Sequence, residues 1–336
     1  MPDILDVLAY PFMQRALIAA VLSGLLAPAV GMYVVQRRLS LLGDGLGHVA
    51  IAGVGLALVT GWTPFPVAVA VCVLGAVAIE ALRGTGKAPG DTGLAILFYG
   101  GLALGILLAG VANRGTAALS QYLFGSLTTV SGSDVLVLAV LCVTGVALTL
   151  LLAPQLFSVC ADEEYARTQG LPVRALNMLI VALAAITVSA SMRTVGVLLV
   201  SALMVVPVAA ASNIATGFRA TLLTALGIGV AVAAFGTLGS VALDTPSGAT
   251  IVVLAVAVFV LTAALGGAIR HRHRPPAEEP ELPTFTPHIP AEADATHPPE
   301  TLEGMPGTTA VLHGDHVDYL LHGHRHAPHG DHWDEH

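Results

Sequence analysis

One pattern constrains this chain more than any other. Its first 270 residues consist of apolar runs of about 20 residues, each long enough to cross a bilayer core as a helix, joined by short polar stretches. The runs fall near 12–35, 41–60, 64–82, 92–112, 134–153, 172–190, 194–213, 219–241 and 249–269. In lipid the backbone of a spanning segment must satisfy its own hydrogen bonds, so these runs predict an all-α, polytopic membrane protein with nine transmembrane helices. The sixth and seventh runs are divided only by Ser189-Ala190-Ser191-Met192-Arg193-Thr194. Eight spans, with one long broken helix and a re-entrant piece, stay open as an alternative. Composition agrees, since only 11% of the residues are charged, against about a quarter in a soluble domain.

Charge divides the chain in two. Residues 1–270 carry 11 Lys and Arg against 10 Asp and Glu, whereas residues 271–336 carry 3 against 12. The expected organisation is a transmembrane domain at 1–270, a Pro-rich acidic linker at 271–312 and a His-rich tail at 313–336. From Pro275 to Pro306 there are too few apolar residues to form a core, and this stretch and the tail are expected to be disordered. With nine spans and an outside N-terminus, the inner joints hold Arg37, Arg38, Arg83, Lys87, Arg167, Arg174, Arg219, Arg270, Arg272 and Arg274. Only Arg15, Arg114 and Arg193 fall outside. That bias places the tail in the cytoplasm; with eight spans it would emerge on the other side. The N-terminus opens with Asp3 and Asp6 rather than a basic stretch, so the first segment is expected to stay in the membrane.

The residues that carry chemistry stand out against this apolar background. Asp44 and His48 are four apart, one turn above each other on one helix face. A carboxylate and an imidazole inside a membrane usually face a bundle interior or a polar path, and both ligate ions such as zinc or manganese. A buried Asp–His hydrogen bond that only fixes packing is the competing reading. In the joint from Cys160 to Pro172, Asp162 can cap a short helix, Glu163 and Glu164 fill its first turn, and Gly170 with Pro172 ends it. Such a helix is either a docking element for a soluble partner or an ordinary connector. Twelve of the 13 histidines lie beyond residue 270, and the tetrapeptide His-Gly-Asp-His occurs twice. His313, Asp315, His316, His322, His324, His326, His329, Asp331, His332 and His336 are candidate ligands in this tail. Glu80, Asp91, Asp134 and Asp244 sit near span ends and are read as caps or packing groups.

Several chemistries are excluded. Around Gly84-Thr85-Gly86-Lys87-Ala88 the first glycine of a phosphate loop is replaced by Ala81 and the hydroxyl residue by Ala88. There is no HExxH or GxSxG motif. Cys72, Cys142 and Cys160 form no CxxC pair, so neither a disulfide framework nor a cysteine zinc site is indicated. The chain is therefore not expected to be an enzyme, and ATP-driven work would need a separate ATPase subunit.

Four stretches together resemble the permease subunits of the ABC importers for zinc, manganese and iron. They are Leu41-Leu42-Gly43-Asp44-Gly45-Leu46-Gly47-His48, the joint from Asp162 to Leu171, the run Val195 to Pro207, and Leu243-Asp244-Thr245-Pro246-Ser247-Gly248-Ala249-Thr250. The resemblance implies a fold similar to the vitamin B12-type importer permeases. It further implies a homodimer in a bacterial plasma membrane, resting on cytoplasmic ATP-binding subunits and fed by an extracytoplasmic metal-binding protein. By the same resemblance Asp44 and His48 line the ion path, and Asp162, Glu163, Glu164, Ala166 and Gly170 belong to the helix that couples to the ATPase. The family often has Ala-Leu-Ser where this chain has Gly45-Leu46-Gly47, and each glycine weakens a helix by about 1 kcal/mol against alanine. No permanent cofactor is expected; the ion is cargo, with zinc favoured because imidazole-rich sites prefer it. Two other readings remain: a proton-coupled secondary metal transporter without an ATPase, and a metal-sensing membrane scaffold.

Overall fold

Local chemistry sets where each helix of the membrane unit starts and stops. Proline opens α1 (Pro11–Gln36), where its missing N–H would have had no partner anyway. Helix α2 (Leu42–Thr60) ends on Gly61 in the left-handed region at φ +74. Helices α3 (Pro64–Gly84) and α4 (Asp91–Val111) follow. A capping box opens α5 (Gly132–Leu151): the Asp134 amide donates to Ser131 Oγ at 3.2 Å and the Ser131 amide to Asp134 Oδ2 at 3.0 Å. Two short helices, α6 (Ala153–Ala161) and α7 (Glu163–Thr168), lead to α8 (Val173–Val195), α9 (Val197–Ile214), α10 (Phe218–Leu243) and α11 (Ser247–Arg272). This computed structural model describes residues 9–84, 91–112, 119, 122–123, 125, 130–272, 308–313, 316–321, 324–329 and 332–335. It divides into two units, Met1–His271 and Arg272–His336.

Among the described residues, eight helices are long and apolar enough to cross a membrane, and α9 is a shorter apolar helix. The break between the sixth and seventh runs lies at Gly196, not within Ser189–Thr194 as the polar residues suggested. Gly196 has φ +88, a conformation that residues with a Cβ rarely adopt, whereas Ser189 and Ser191 continue α8 as buried helical residues. Gly125, itself at φ +68, lies directly against Val195 and Gly196. Short as it is, α9 reverses the chain. Asn213 near its end donates to Thr262 Oγ1 at 3.4 Å and closes on Gly266, both near the end of α11. Phe218, just beyond α9, packs its ring at a tilt against Phe157 of α6, with centroids 4.8 Å apart, and against Tyr33 at 5.7 Å. The C-terminal end of α11 therefore lies on the same face of the bundle as α6 and α7.

Helices α1, α2 and α8 form the centre. Between 72% and 78% of their spanning windows is buried, against 17–33% for α3, α4, α5, α10 and α11. With little hydrophobic drive between helices in lipid, such centres are held by close packing at small residues. Gly24 and Gly229 place α1 and α10 in backbone contact, and Gly31 lies on the Met204 carbonyl of α9. A buried hydroxyl adds a polar tie, as Tyr33 donates to the Thr149 carbonyl at 2.7 Å. Pro28 and Pro207 lie inside the continuous helices α1 and α9.

Charge is concentrated at the face carrying α7. Glu80, 7% exposed, accepts from Arg37 at 3.0 Å and from Arg83 at 3.2 Å. These three residues, with Glu163, Arg167, Arg174 and Asn177, line a cleft of about 630 Å³.

The tail departs from expectation. The second unit holds four strands, β1 (Thr309–His313), β2 (His316–Leu321), β3 (His324–His329) and β4 (His332–Glu335), in one antiparallel sheet of order β1-β2-β3-β4. Its polar composition argued for disorder, but β-branched and aromatic residues such as Val311, Val317, Tyr319 and Trp333 suit a pleated surface. The strands are joined by His322-Gly323 and two Gly-Asp dipeptides, the lengths and types that close hairpins. The expected linker at 275–306 lies outside the described residues.

Gly229→Leu should lower the unfolding free energy by about 1–3 kcal/mol through overpacking. Gly110→Ala, with nothing within 4 Å of a new Cβ, should be neutral or stabilising by up to ~1 kcal/mol. Thermal unfolding of the detergent-solubilised protein compares them. In the same assay Glu80→Ala should cost about 3–5 kcal/mol, because it leaves two arginines in one site without their shared partner; Arg83→Ala should cost clearly less.

Candidate functional site

The first half of α2 carries a carboxylate and an imidazole one turn apart. Asp44 sits in its first turn, half-buried, and His48 one turn later is 6% exposed. His48 is buried in the bundle, while Asp44 keeps part of its surface exposed. The helix runs unbroken through Gly43, Gly45 and Gly47, so the extra glycines do not disrupt it. Two of them are contact points: a Cβ on Gly47 would collide with Val197 of α9, and one on Gly43 would sit 3.3 Å from Ser201 Cβ. A Cβ on Gly45 would meet its nearest atoms, the Leu94 carbonyl oxygen and Leu97 Cβ, at an ordinary 3.5 Å.

That approach delivers a hydroxyl to the carboxylate. Ser201 Oγ donates to Asp44 Oδ1 at 2.9 Å across 157 residues of sequence. His48 meets the Phe98 ring of α4 edge-on with centroids 4.3 Å apart, and Gly101 of α4 packs on the His48–Val49 backbone. The His48 Nδ1 is buried and has no hydrogen-bond partner among the described residues. Buried polar atoms usually have one. A serine-oriented carboxylate one turn from an imidazole with an open nitrogen can hold a divalent cation through two side chains. Two protein ligands leave the coordination shell incomplete, which suits brief residence rather than trapping.

The second cluster is α7. Asp162 caps it, accepting from the Tyr165 amide at 2.9 Å. Its end is closed by two reversed bonds, Gly170 N–H to the Arg167 carbonyl at 3.0 Å and Leu171 N–H to the Ala166 carbonyl at 3.1 Å, with Gly170 at φ +76. These are the bonds of a Schellman ending. Ala166 is seated in the core while Tyr165 is 58% exposed, and Glu163 pairs with Arg167 at 2.9 Å on the surface. In α6, burial pushes the Cys160 thiol up to about 11, with Arg37 only partly opposing.

The other acidic residues hold structure together. Glu80 is paired with two arginines, Asp134 belongs to the α5 capping box and Asp244 ends α10 in the left-handed region at φ 51. In the tail, Asp315, His322, Asp331 and His336 lie outside the described residues. Among the described residues no three His, Cys, Asp or Glu side chains gather as a metal group. Ser201, Phe98 and Gly196 were not singled out from the sequence as site residues. A serine, phenylalanine or glycine in an apolar run carries no mark of a contact with a distant segment.

Comparison with known proteins gives one answer. The model of the ABC 3 transport family matches residues 9–266. A probable metal transport system membrane protein of Treponema pallidum is 35% identical over 260 residues, covering 77% of this chain and 97% of that protein. The chelated iron transport system membrane protein YfeD of Yersinia pestis is 31% identical, covering 83% of this chain and 91% of that protein. The manganese transport system membrane protein MntC of Halalkalibacterium halodurans is 32% identical, covering 76% and 88%. Among solved structures, PsaBC from Streptococcus pneumoniae in complex with Fab superposes with a TM-score of 0.70 at 28% identity, covering 80% of this chain and 99% of that one. With its bundle of apolar helices and this match over nearly all of them, the chain belongs to the ABC 3 transport family, as a multi-pass permease subunit and not an enzyme.

Proposed function

We propose that this protein is the ion-conducting subunit of an ATP-driven importer of divalent transition-metal ions, working as two copies in a bacterial plasma membrane. The observation that carries the proposal is the Asp44–His48 pair one turn apart on α2, with His48 buried and the Asp44 carboxylate oriented by Ser201. An ion released by an extracytoplasmic binding protein would pass between the two copies, meeting the carboxylate and imidazole of each. Relatives named for manganese and chelated iron support a transition metal in general. Zinc is favoured for this chain because imidazole suits it and the tail is rich in histidine. No feature of the fold favours a proton-coupled carrier over this reading.

In this reading α7 docks into a cytoplasmic ATP-binding subunit. Support comes from its capped ends, its buried Ala166 and its exposed Tyr165, Glu163 and Arg167. The arginines lining the neighbouring cleft support a cytoplasmic position for that face under the positive-inside rule. Since α11 ends on the same face, the tail would enter the cytoplasm. ATP binding and hydrolysis would then move the two permease halves as rigid bodies.

Uptake of radioactive zinc, manganese and iron in metal-starved cells tests this. Asp44→Ala and His48→Ala, at expression matched to wild type, should each cut uptake of the cognate ion by at least tenfold, the effect of about 1.4 kcal/mol. Unchanged uptake in both variants would remove the proposed path. Depleting ATP while keeping the proton gradient should abolish uptake; collapsing the gradient at constant ATP should spare it. The reverse would favour the proton-coupled carrier. A chain ending at residue 270 should still transport, and loss of uptake despite normal membrane insertion would favour the scaffold reading.

A further inference from the structure

The membrane unit holds positive charge that ion conduction leaves unused. Four arginines and two glutamates line the cleft of about 630 Å³ beside α7, an excess of two positive charges. Glu80 is shared by Arg37 and Arg83, and Glu163 pairs with Arg167. Arg174 is exposed and has no ion pair among the described residues. Arg37 donates to Glu80 through Nη2, but its Nη1 is buried without a hydrogen-bond partner among the described residues. The Arg37 side chain is only 10% exposed. Asn177, 6% exposed, likewise keeps its Oδ1 buried without a partner there. Buried donors and acceptors are normally satisfied, and both of these residues line the cleft. Its chemistry asks for an anion that also carries a donor.

Position narrows what that anion is. The walls come from the end of α3, from α7 and from the start of α8, with Arg37 just beyond α1. Helix α3 is a peripheral span, with 28% of its window buried. Leu82, between the cleft residues Ala81 and Arg83, is 44% exposed. A span with that much bare apolar surface borders acyl chains, which sets lipid headgroups beside its end. Basic pockets between helices at the cytoplasmic side of a membrane suit anionic headgroups, and the guanidinium fork matches phosphate oxygens.

We propose that this cleft binds the phosphate headgroup of an anionic phospholipid, gripped by Arg37 and Arg174, with Asn177 accepting from a headgroup hydroxyl. The side of the membrane rests on the transport reading above; the chemistry of the cleft does not. Glu163 at the same site opposes the anion. A lipid seated there touches α3, α7 and α8 together, and so ties the short helix to the two long ones.

The test uses the purified full-length protein in a neutral detergent, titrated with phosphatidylglycerol, with phosphatidylcholine of the same chains, or with glycerol 3-phosphate. Native mass spectrometry counts bound lipid, and thermal unfolding reports the stabilisation that a ligand of the folded state confers. Phosphatidylglycerol should form one saturable adduct and raise the unfolding midpoint; the other two should do neither. R174Q alters an exposed side chain without an ion pair and should unfold like wild type in the absence of lipid. It should bind about fivefold more weakly, the effect of roughly 1 kcal/mol from one basic residue near an anionic surface. R37K keeps a charge beside Glu80 but gives up the planar fork, and should weaken binding at least as much. E163Q removes an opposing charge and should tighten it. R219Q, exposed but not lining the cleft, should change nothing.

Equal weakening by R174Q and R219Q would overturn the cleft in favour of diffuse attraction. Equal binding of phosphatidylcholine, or equal stabilisation by glycerol 3-phosphate, would overturn the anionic lipid as its occupant. Unchanged lipid binding in both R174Q and R37K would overturn the proposal outright; loss of a co-expressed ATP-binding subunit in those variants would then assign the cleft to that partner. None of these readouts involves uptake, so failure here leaves the transport reading standing, and failure of uptake leaves the cleft.

Discussion

How closely neighbouring helices approach α2 is the constraint on which the rest of this structure depends. Gly43 and Gly47 admit α9, Gly101 and Gly105 of α4 lie against its backbone, and Gly53 meets Ala68 of α3. Each glycine inside a helix weakens it by about 1 kcal/mol in water relative to alanine. In a bilayer that loss is offset by backbone-level packing, the main attraction left between helices when the surroundings are as apolar as the side chains. A methyl group at Gly47 would collide with Val197. The same approach that seats α9 carries Ser201 to Asp44.

This arrangement puts polar chemistry in two places with opposite demands. Asp44 and His48 sit on the most buried span, where every polar atom without a partner is expensive, and Ser201 relieves part of that expense at the carboxylate. The α7 face is open and can carry charge freely, and there the arginines and Glu80 form a network rather than isolated pairs. The proposed function needs both, a polar point that a cation can occupy briefly and an exposed rigid feature that a soluble partner can grip.

Much of this was legible in the sequence because it depends on local rules. Runs of apolar residues located the long helices, the 162–170 joint spelled out its own cap and stop, and Ser131 three residues before Asp134 forms the box that starts α5. What stayed hidden depends on distance along the chain or on backbone conformation. The Ser201–Asp44 bond spans 157 residues, and no local pattern marks either end of it. The polar cluster Ser189–Thr194 looked like a joint, yet its serines are buried within α8 and the chain turns at Gly196, where a positive φ is required. The tail misled through composition. The proline-rich, polar stretch before it suggested that disorder ran on to the end, while the period-two spacing of Val317 and Tyr319 beside a Gly-Asp dipeptide carried the strand signal.

The way α7 is fastened has a mechanical consequence. Its two ends are locked by side-chain and backbone bonds and its underside is keyed into the core at Ala166, so it is a stiff stub that cannot yield by fraying. Only Gln169, Gly170, Leu171 and Pro172 separate it from the long rod of α8. In the proposed docking, a push on the stub would reach that rod, whose far tip at Gly196 lies five residues before the hydroxyl that bonds Asp44.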